Sequence, residues 1–568
     1  MSVSGWSRTA DRESQLSLES RAVRIISVVQ EPQRMNSDNS SHISRRSVLR
    51  FAGTAGAVGV AGCTGDDSSD ESSMTEESGS EETESADQNQ ALEVGVTMGQ
   101  MDSGLDPQDH AETNTEIIVG QAYEGLLDRD KQGGIIAGLA NNWERTADGS
   151  VQFELRDATF HSGDPLTAED AAYSVRRIVS EDVGISSPQA NDLGLVNEVT
   201  AGDGTVTVSF EGFNPIAFQL FATNGEIVQQ SWIEENSSDY INQNANGTGP
   251  FRVTGYDSGN EVVYEPNTDY WGGDVPVDSL TMAASSESST RVNRLLAEET
   301  DIVTNVPPQE VSRVEESDVA GISSVPSARI IFLQMRYDVE PFSSQQFRQA
   351  LNHAVDVESI IENVLNGFGS ITGQPTLSEH VGYNPDVDPY PFDTDEAERL
   401  VEESGFAGAE ITLQTPIGRY LKDVEVAQAA ANQIDSLSNV SCELEQREFS
   451  ALVQDITTGA IEDKPNFNLL GWGNGEFDGS QTITPLMTSG GALTIHKNDE
   501  LDGLLVDAEN AEDPDTRIET LQEANQLAHD LAPWVFLHQQ FSVYGVSSEI
   551  AWDPRSDEFI DPDTATQQ

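Results

Sequence analysis

Residues Thr64 to Gln90, TGDDSSDESSMTEESGSEETESADQNQ, carry ten acids, no base and almost no apolar side chain. Such a stretch cannot bury enough apolar surface to offset the entropy of ordering its backbone. It divides the chain before any fold is considered: whatever packs lies in the 478 residues from 91 to 568. That is more than one core usually holds, so two or more lobes are expected.

What precedes the acidic stretch reads as an address. Ser44 to Arg50 is SRRSVLR, Phe51 to Gly62 is the small, mildly apolar FAGTAGAVGVAG, and Cys63 follows. The apolar run is shorter than the roughly 20 residues a membrane-spanning helix needs, and its glycines disfavour a helix. Arg45-Arg46, the weak apolar run and Val60-Ala61-Gly62-Cys63 together resemble a twin-arginine export signal joined to a lipobox, with lipid expected on Cys63. The acidic segment would then be a tether from lipid to domain. Met35 lies at a more usual distance from the arginine pair than Met1 and is a second candidate start.

The acids are not confined to the tether. The chain has 98 aspartates and glutamates against 29 lysines and arginines, and its four lysines are Lys131, Lys422, Lys464 and Lys497. From Cys63 onward there are 93 acids and 21 bases, a net charge of −72. Self-repulsion at that charge loosens a fold in dilute buffer, whereas molar salt shortens the Debye length to about 3 Å. A halophile's protein is expected, and nucleic acid is excluded as a partner. With Cys63 lipidated, Cys442 has no disulfide partner. It sits in the alternating run NVSCELEQ as a structural thiol, and no histidine cluster has metal-site spacing.

Along the foldable part, strand and helix patterns alternate. Leu92–Met98, Val151–Leu155, Val206–Phe210, Phe251–Gly255 and Glu261–Tyr264 read as strands. Thr167 followed by Asp170 is the capping signature of a helix over DAAYSVRRI. Arg329–Met335 is a strong strand, then come helices over Ser344–Val355, Val357–Leu365, Glu396–Ser404 and Val424–Leu437. Phe467–Leu470 is a strand, and helix Thr516–Asp530 leads into the apolar strand Trp534–His538. This is an α/β chain.

The segment NGTGPFRVTGYDSGNEVVYEPNTDYWGG (Asn246 to Gly273) resembles the extracellular solute-binding proteins of family 5, which serve dipeptide, oligopeptide and nickel importers. Ala137–Val175, Phe347–Gly369, Phe392–Phe406 and LLGWGNGEFDGS (Leu469 to Ser480) follow in the family's order, and the likeness spans about residues 92 to 550. It implies an α/β, two-lobed periplasmic-binding-protein-like fold with an extra subdomain and a hinge of two crossover strands, near Ser327–Ile331 and Pro533–His538. The boundaries expected are 1–62 for extension and signal, 63–90 for the tether, 91–328 for lobe I with its subdomain, 329–533 for lobe II, and 534–568 for the return to lobe I and the tail. The function implied is an extracellular, lipid-anchored substrate-binding protein of an ABC importer, a monomer that hands a peptide-like solute to the permease subunits. A metal chelate such as nickel and an oligosaccharide are the alternatives within that class, and an exported hydrolase the alternative outside it. No cofactor is called for.

A peptide-like solute offers an ammonium, a carboxylate and amides, so its pocket needs an acid, an arginine or a helix end, and aromatic walls. Peptide-binding relatives place an aspartate three residues after Gly-Trp; here Gly475 stands at that position, and Glu476 and Asp478 are the nearest substitutes. Trp472, between glycines after a strand, is the expected pocket wall, with core packing an equal alternative. Tyr123 and Glu124 lie in the loop that borders the cleft in this family, and Arg336, just past the crossover strand, is a candidate for a carboxylate. Enzyme motifs such as GxSxG, HExxH and a phosphate-binding glycine loop are missing from the sequence.

Overall fold

The computed structural model describes residues 91–568 apart from 102–103, 111–112, 181–182, 186, 192, 194, 458–459 and 492. The readings at Arg45-Arg46, Cys63 and the tether 64–90 lie outside the described residues. One mixed sheet of eleven strands runs through the molecule. In chain order its main strands are β1 (Glu93–Met98), β2 (Phe251–Asp257), β3 (Glu261–Pro266), β4 (Ser279–Ala284), β5 (Ile302–Val303), β6 (Ala320–Met335), β7 (Ala409–Pro416), β8 (Val440–Arg447), β9 (Phe467–Gly473) and β10 (Trp534–Ser547). Their spatial order is β8-β7-β9-β6-β10-β5-β1-β4-β3-β2.

Strands β6 and β10 belong to both halves of this sheet. Ala320–Pro326 pairs with Ser547–Phe541 in the first half, and Ile330–Gln334 pairs with Gln539–Trp534 in the second. Between Pro326 and Ile330 the register shifts. Proline has no N–H to give the ladder, and the polar groups it frees must find other partners. They do: Ser327 Oγ donates to Gln540 O (2.9 Å), Gln539 Nε2 donates to Ser327 O (3.0 Å), and the Ala328 N–H donates to Ser556 O (2.9 Å). The break is therefore a built joint with its hydrogen bonds satisfied by side chains and by the chain's C-terminal segment.

Each half has its own core. Val94, Val96, Met98, Phe251, Leu280 and Met282 fill the first. In the second, the sheet is covered on both faces: Leu333, Phe347, Leu413, Ala430 and Leu469 pack on one side, Phe332, Leu470, Ile483, Leu521 and Trp534 on the other. Strands buried on both faces read as near-continuous apolar runs whatever their direction, which is why FNLLGWG and WVFLHQ stand out. A separate four-stranded sheet (Ala140–Arg145, Val151–Leu155, Thr205–Phe210, Val196–Ala201) packs against helix Ala168–Val179 around Phe153, Phe160 and Phe221. That helix begins as its capping residues predict: Thr167 Oγ1 accepts the Asp170 N–H at 3.2 Å, and the Asp170 carboxylate accepts the Thr167 N–H at 3.1 Å. Cys442 is a free, buried thiol, pushed up to about 12 by burial and by Asp435 nearby. Among the described residues no helix is long and apolar enough to cross a membrane.

Candidate functional site

Strand direction locates the site. β7 runs parallel to both β8 and β9, so the three end toward one edge, at Pro416, Arg447 and Gly473. β6 is antiparallel to β9 with Arg329 opposite Gly473, which brings the joint Ser327–Arg329 to the same edge. In the first half β1, β4 and β5 are parallel, and Val303 at the end of β5 meets Gly545 on the joint side of β10. Both halves thus turn the carboxyl ends of parallel strands toward the joint. In open α/β sheets that is where ligands bind, because loops rather than paired backbone face the crevice there.

The loops from the two halves meet. Thr223 Oγ1 lies 3.0 Å from Gly475 O and donates to it. The Arg129 guanidinium sits 5.0 Å from the centre of the Phe477 ring, and a Cβ on Gly133, whose φ is +87°, would stand 2.3 Å from that ring. Only glycine admits this approach. Beside the joint Arg329 pairs with Glu558 at 3.2 Å. Burial raises the Glu558 carboxyl's proton affinity, but Arg329 and then Arg419 outweigh it and hold the group below the usual range. Arg419 itself, on the loop after β7, is exposed, with its guanidinium 5.3 Å from the Tyr420 and Phe449 ring centres.

Residues 134–493 match the family described as bacterial extracellular solute-binding proteins, family 5. The chain belongs to this family. Heme-binding protein A of Haemophilus influenzae is 22% identical over 452 residues, 73% of this chain and 81% of that protein. A glutathione-binding protein of Pectobacterium atrosepticum is 21% identical over 459 residues, 79% and 88% of the two chains. The solved ABC transporter substrate-binding protein CtaP of Listeria monocytogenes aligns over 84% of this chain and 99% of its own with a TM-score of 0.76 and 20% identity, which shows the fold. The expected two-lobed α/β architecture and the reading as an importer's substrate-binding protein both stand.

In this family 5 protein the residues singled out from sequence fall in three places. Trp472, Glu476 and Asp478 share the loop after β9. Trp472 is 8% exposed, packs with Leu377, Ile483 and Leu486, and donates its indole N–H to Gln481 O at 3.0 Å. Asp478 is fully buried and bound by both nitrogens of the Arg517 fork, at 2.6 and 2.8 Å, with Ser480 Oγ donating at 2.6 Å. Glu476 is partly exposed, within electrostatic reach of Arg129.

Tyr123 and Glu124 form a polar cluster in the first half. The Tyr123 hydroxyl accepts the Asn246 N–H at 3.0 Å, and burial pushes its phenol well above the usual range. Glu124 accepts from Thr248 (2.6 Å), Tyr270 (2.9 Å) and Trp271 (2.9 Å), and burial still drives its carboxyl up to about 7. Arg336 stands at the other end of β6, seven residues or about 23 Å of strand beyond Arg329. There it donates to the carbonyls of Glu462 (2.9 Å) and Lys464 (2.7 Å) and pairs with Asp338 at 2.8 Å. The crevice residues that sequence reading passed over are Arg129, Arg329, Arg419 and Glu558. The signal available for Arg419 was its position: Ile417-Gly418-Arg419-Tyr420 directly follows a strand that ends at the crevice.

Proposed function

We propose that this protein captures a peptide-like solute between its two halves and presents it to the permease of an ABC importer from the outer face of the membrane. The observation that carries this is the pair of shared strands. A joint in β6 and β10 lets two rigid halves close over a crevice edged by loops at the carboxyl ends of parallel strands, and closure changes the surface that a permease meets. The contacts across the crevice, Thr223 to Gly475 and Gly133 to Phe477, fit a closed state. A tripeptide-like ligand, glutathione, is named for one relative, and that supports a peptide-like solute here.

The register break between Pro326 and Ile330 supports domain limits of 91–328 for lobe I and 329–533 for lobe II, with the return to lobe I and the tail within 534–568. Saturable binding of short peptides by calorimetry in molar potassium chloride, without cleavage of the bound peptide, is the expected result. Turnover of the peptide would make the protein a hydrolase and overturn the reading.

Anchoring and salt adaptation belong to the same proposal. The arginine pair, weak apolar run and lipobox support export of the folded protein and lipid on Cys63. Cys63→Ser is expected to release the protein into the medium, and unchanged membrane retention would refute the anchor. A charge of −72 from Cys63 onward supports folding that requires salt. Circular dichroism is expected to show α/β structure in molar potassium chloride and its loss on dilution; full structure in dilute buffer would refute the halophilic reading.

A further inference from the structure

Three asparagines among the described residues stand two positions before a serine or threonine with no proline between, the acceptor motif for N-linked sugar: Asn236-Ser237-Ser238, Asn246-Gly247-Thr248 and Asn439-Val440-Ser441. The motif needs two groups at once. The asparagine amide nitrogen becomes bonded to the sugar, and the hydroxyl two residues on is held by the transferring enzyme. In a protein that folds before it crosses the membrane, both must be available at the folded surface.

Asn246 fails on both counts. It is 4% exposed, its Nδ2 donates to Gln229 Oε1 at 2.7 Å, and its Oδ1 accepts the Ser162 N–H at 2.8 Å. Thr248 is fully buried and donates its hydroxyl to Glu124 at 2.6 Å. Gly247 between them is pressed against the backbone, since a Cβ there would stand 2.0 Å from Ala122 O.

Asn439 fails at the hydroxyl. Val440 and Ser441 open β8 and pair with Ala409 and Glu410 of β7. Ser441 Oγ donates to Asp435 Oδ1 at 3.0 Å, and the same carboxylate oxygen accepts the Cys442 N–H at 3.1 Å. Asn439 Nδ2 donates to Glu398 O at 2.9 Å. Presenting this tripeptide to an enzyme would lift the start of β8 off the sheet.

Asn236-Ser237-Ser238 meets both conditions. It links helix Gln230–Glu235 to the single turn Ser238–Ile241, outside every strand. Asn236 (φ −116°, ψ 153°) and Ser237 (φ −79°, ψ 155°) are extended, and Ser237 to Tyr240 are exposed. The Ser238 hydroxyl has no hydrogen-bond partner among the described residues. Asn236 Nδ2 donates one hydrogen to Trp232 O at 2.8 Å. An amide nitrogen carries two, so one is left for exchange while the other keeps the bond.

A second feature at the same place suits a sugar. Four residues to either side of Asn236, Trp232 and Tyr240 bring their ring centres to 6.2 Å, and Tyr240 is 48% exposed. The negative face of such a ring is a surface on which the C–H face of a sugar packs.

We propose that Asn236 carries an N-linked glycan and that Asn246 and Asn439 do not. The donor is an oligosaccharide joined through phosphate to a lipid carrier. Asn236 Nδ2 attacks the anomeric carbon, the new N–C bond forms, and the C–O bond to phosphate breaks. The lipid phosphate leaves with the electron pair, and one amide hydrogen leaves as a proton. This rests on the reading of the protein as exported in folded form, and it adds a covalent modification to the surface of the first half.

The full chain is isolated from the membranes of the cells that encode it, digested, and its peptides weighed by mass spectrometry. The Asn236 peptide is expected to gain the mass of whole sugar residues, and the Asn246 and Asn439 peptides none. Asn236→Gln should abolish the gain. Because Asn236 also closes a helix, Ser238→Ala is the sharper variant: it keeps the bond to Trp232 and removes only the hydroxyl. It should lose the sugar equally, with the wild-type circular dichroism spectrum in molar potassium chloride, and Ser238→Thr should restore it. An unmodified Asn236 peptide, sugar on Asn246 or Asn439, or sugar that persists in Ser238→Ala would each overturn the assignment while leaving an exported binding protein. Protease added to intact cells separates the two readings: if the chain is cut only after lysis, export falls, and the glycan falls with it.

Discussion

Asp478 and Arg419 sit on the same edge of the second half, on the loops after β9 and β7, and their charges have opposite fates. Asp478 is fully buried, gripped at both oxygens by Arg517 and capped by Ser480. Arg419 is exposed, flanked by rings, and has no acceptor among the described residues. A buried charge must be paired, since the cost of dehydrating it alone exceeds what the fold can supply. An exposed charge that stays unpaired in a protein crowded with acids is held apart by the loop that carries it. Of the two charged residues, the one closed into a pair supports the loop that carries it, and the other stays in contact with solvent.

Breaking the closed pair should have the largest effect. Asp478→Asn keeps the shape but leaves the Arg517 charge buried without a counter-ion, and a loss of about 3 to 5 kcal/mol is expected. Urea unfolding in molar salt measures it. Replacing both partners, Asp478→Leu with Arg517→Met, should return most of that stability, because an apolar pair carries no dehydration cost. A single variant within about 1 kcal/mol of wild type would mean that the charge is not structural.

Glu124 lies between these extremes, a largely enclosed acid whose donors Thr248, Tyr270 and Trp271 are all neutral. With no cation to oppose burial, its carboxyl rises from 4.5 to about 7. The folded protein then holds this proton more tightly than the unfolded chain does. The stability so gained is full below about pH 4.5 and is lost as pH rises through about 7. Glu124→Gln keeps an acceptor oxygen and removes the titration, so stability should vary less over that window, by about 2 kcal/mol. Asp563, raised to about 6 by burial and by Asp561, supplies a residual slope in the same direction. An unchanged slope in the variant would mean that Glu124 ionises normally.

These contrasts show what sequence could and could not carry. The apolar halves of the crossovers, Arg329–Met335 and Trp534–His538, were legible because strands buried on both faces leave long apolar runs. Their continuations, Ala320–Ala328 and Phe541–Ser547, were not: serines and Pro326 interrupt the pattern, and pairing between the two strands makes them strands. At the site, the loop Gly471–Asp478 was found from its motif, but the roles within it depend on tertiary neighbours. Asp478 and Arg517 are 39 positions apart, and no periodicity announces their pairing. Arg419 was missed for the converse reason: which arginine lacks a partner among so many acids is decided by the packing of the loop, and nothing in the local sequence records it.

The smallest expected effect concerns the contact that joins the halves without charge. Thr223 has one hydroxyl hydrogen and two acceptors in range, Gly475 O at 3.0 Å across the crevice and Gln219 O at 3.1 Å within its own helix turn. Its oxygen also accepts from Arg129 Nε and Nη2, at 3.2 and 3.0 Å. When the halves part, the hydrogen returns to Gln219, so opening costs only the difference between two ordinary hydrogen bonds. Thr223→Val removes that preference and leaves Arg129 to the carbonyls of Gly133 and Gln219. A neutral hydrogen bond contributes about 0.5 to 1.5 kcal/mol, so the closed population and the apparent solute affinity should fall by about two- to tenfold. Because the bond to Gly475 O joins two neutral groups, the loss should be nearly the same in one and in several molar salt. Small-angle scattering of the solute-bound variant, with calorimetry at two salt concentrations, reads both quantities. A Thr223→Val deficit that tracks ionic strength would place Arg129, and not the hydroxyl, at the centre of the contact.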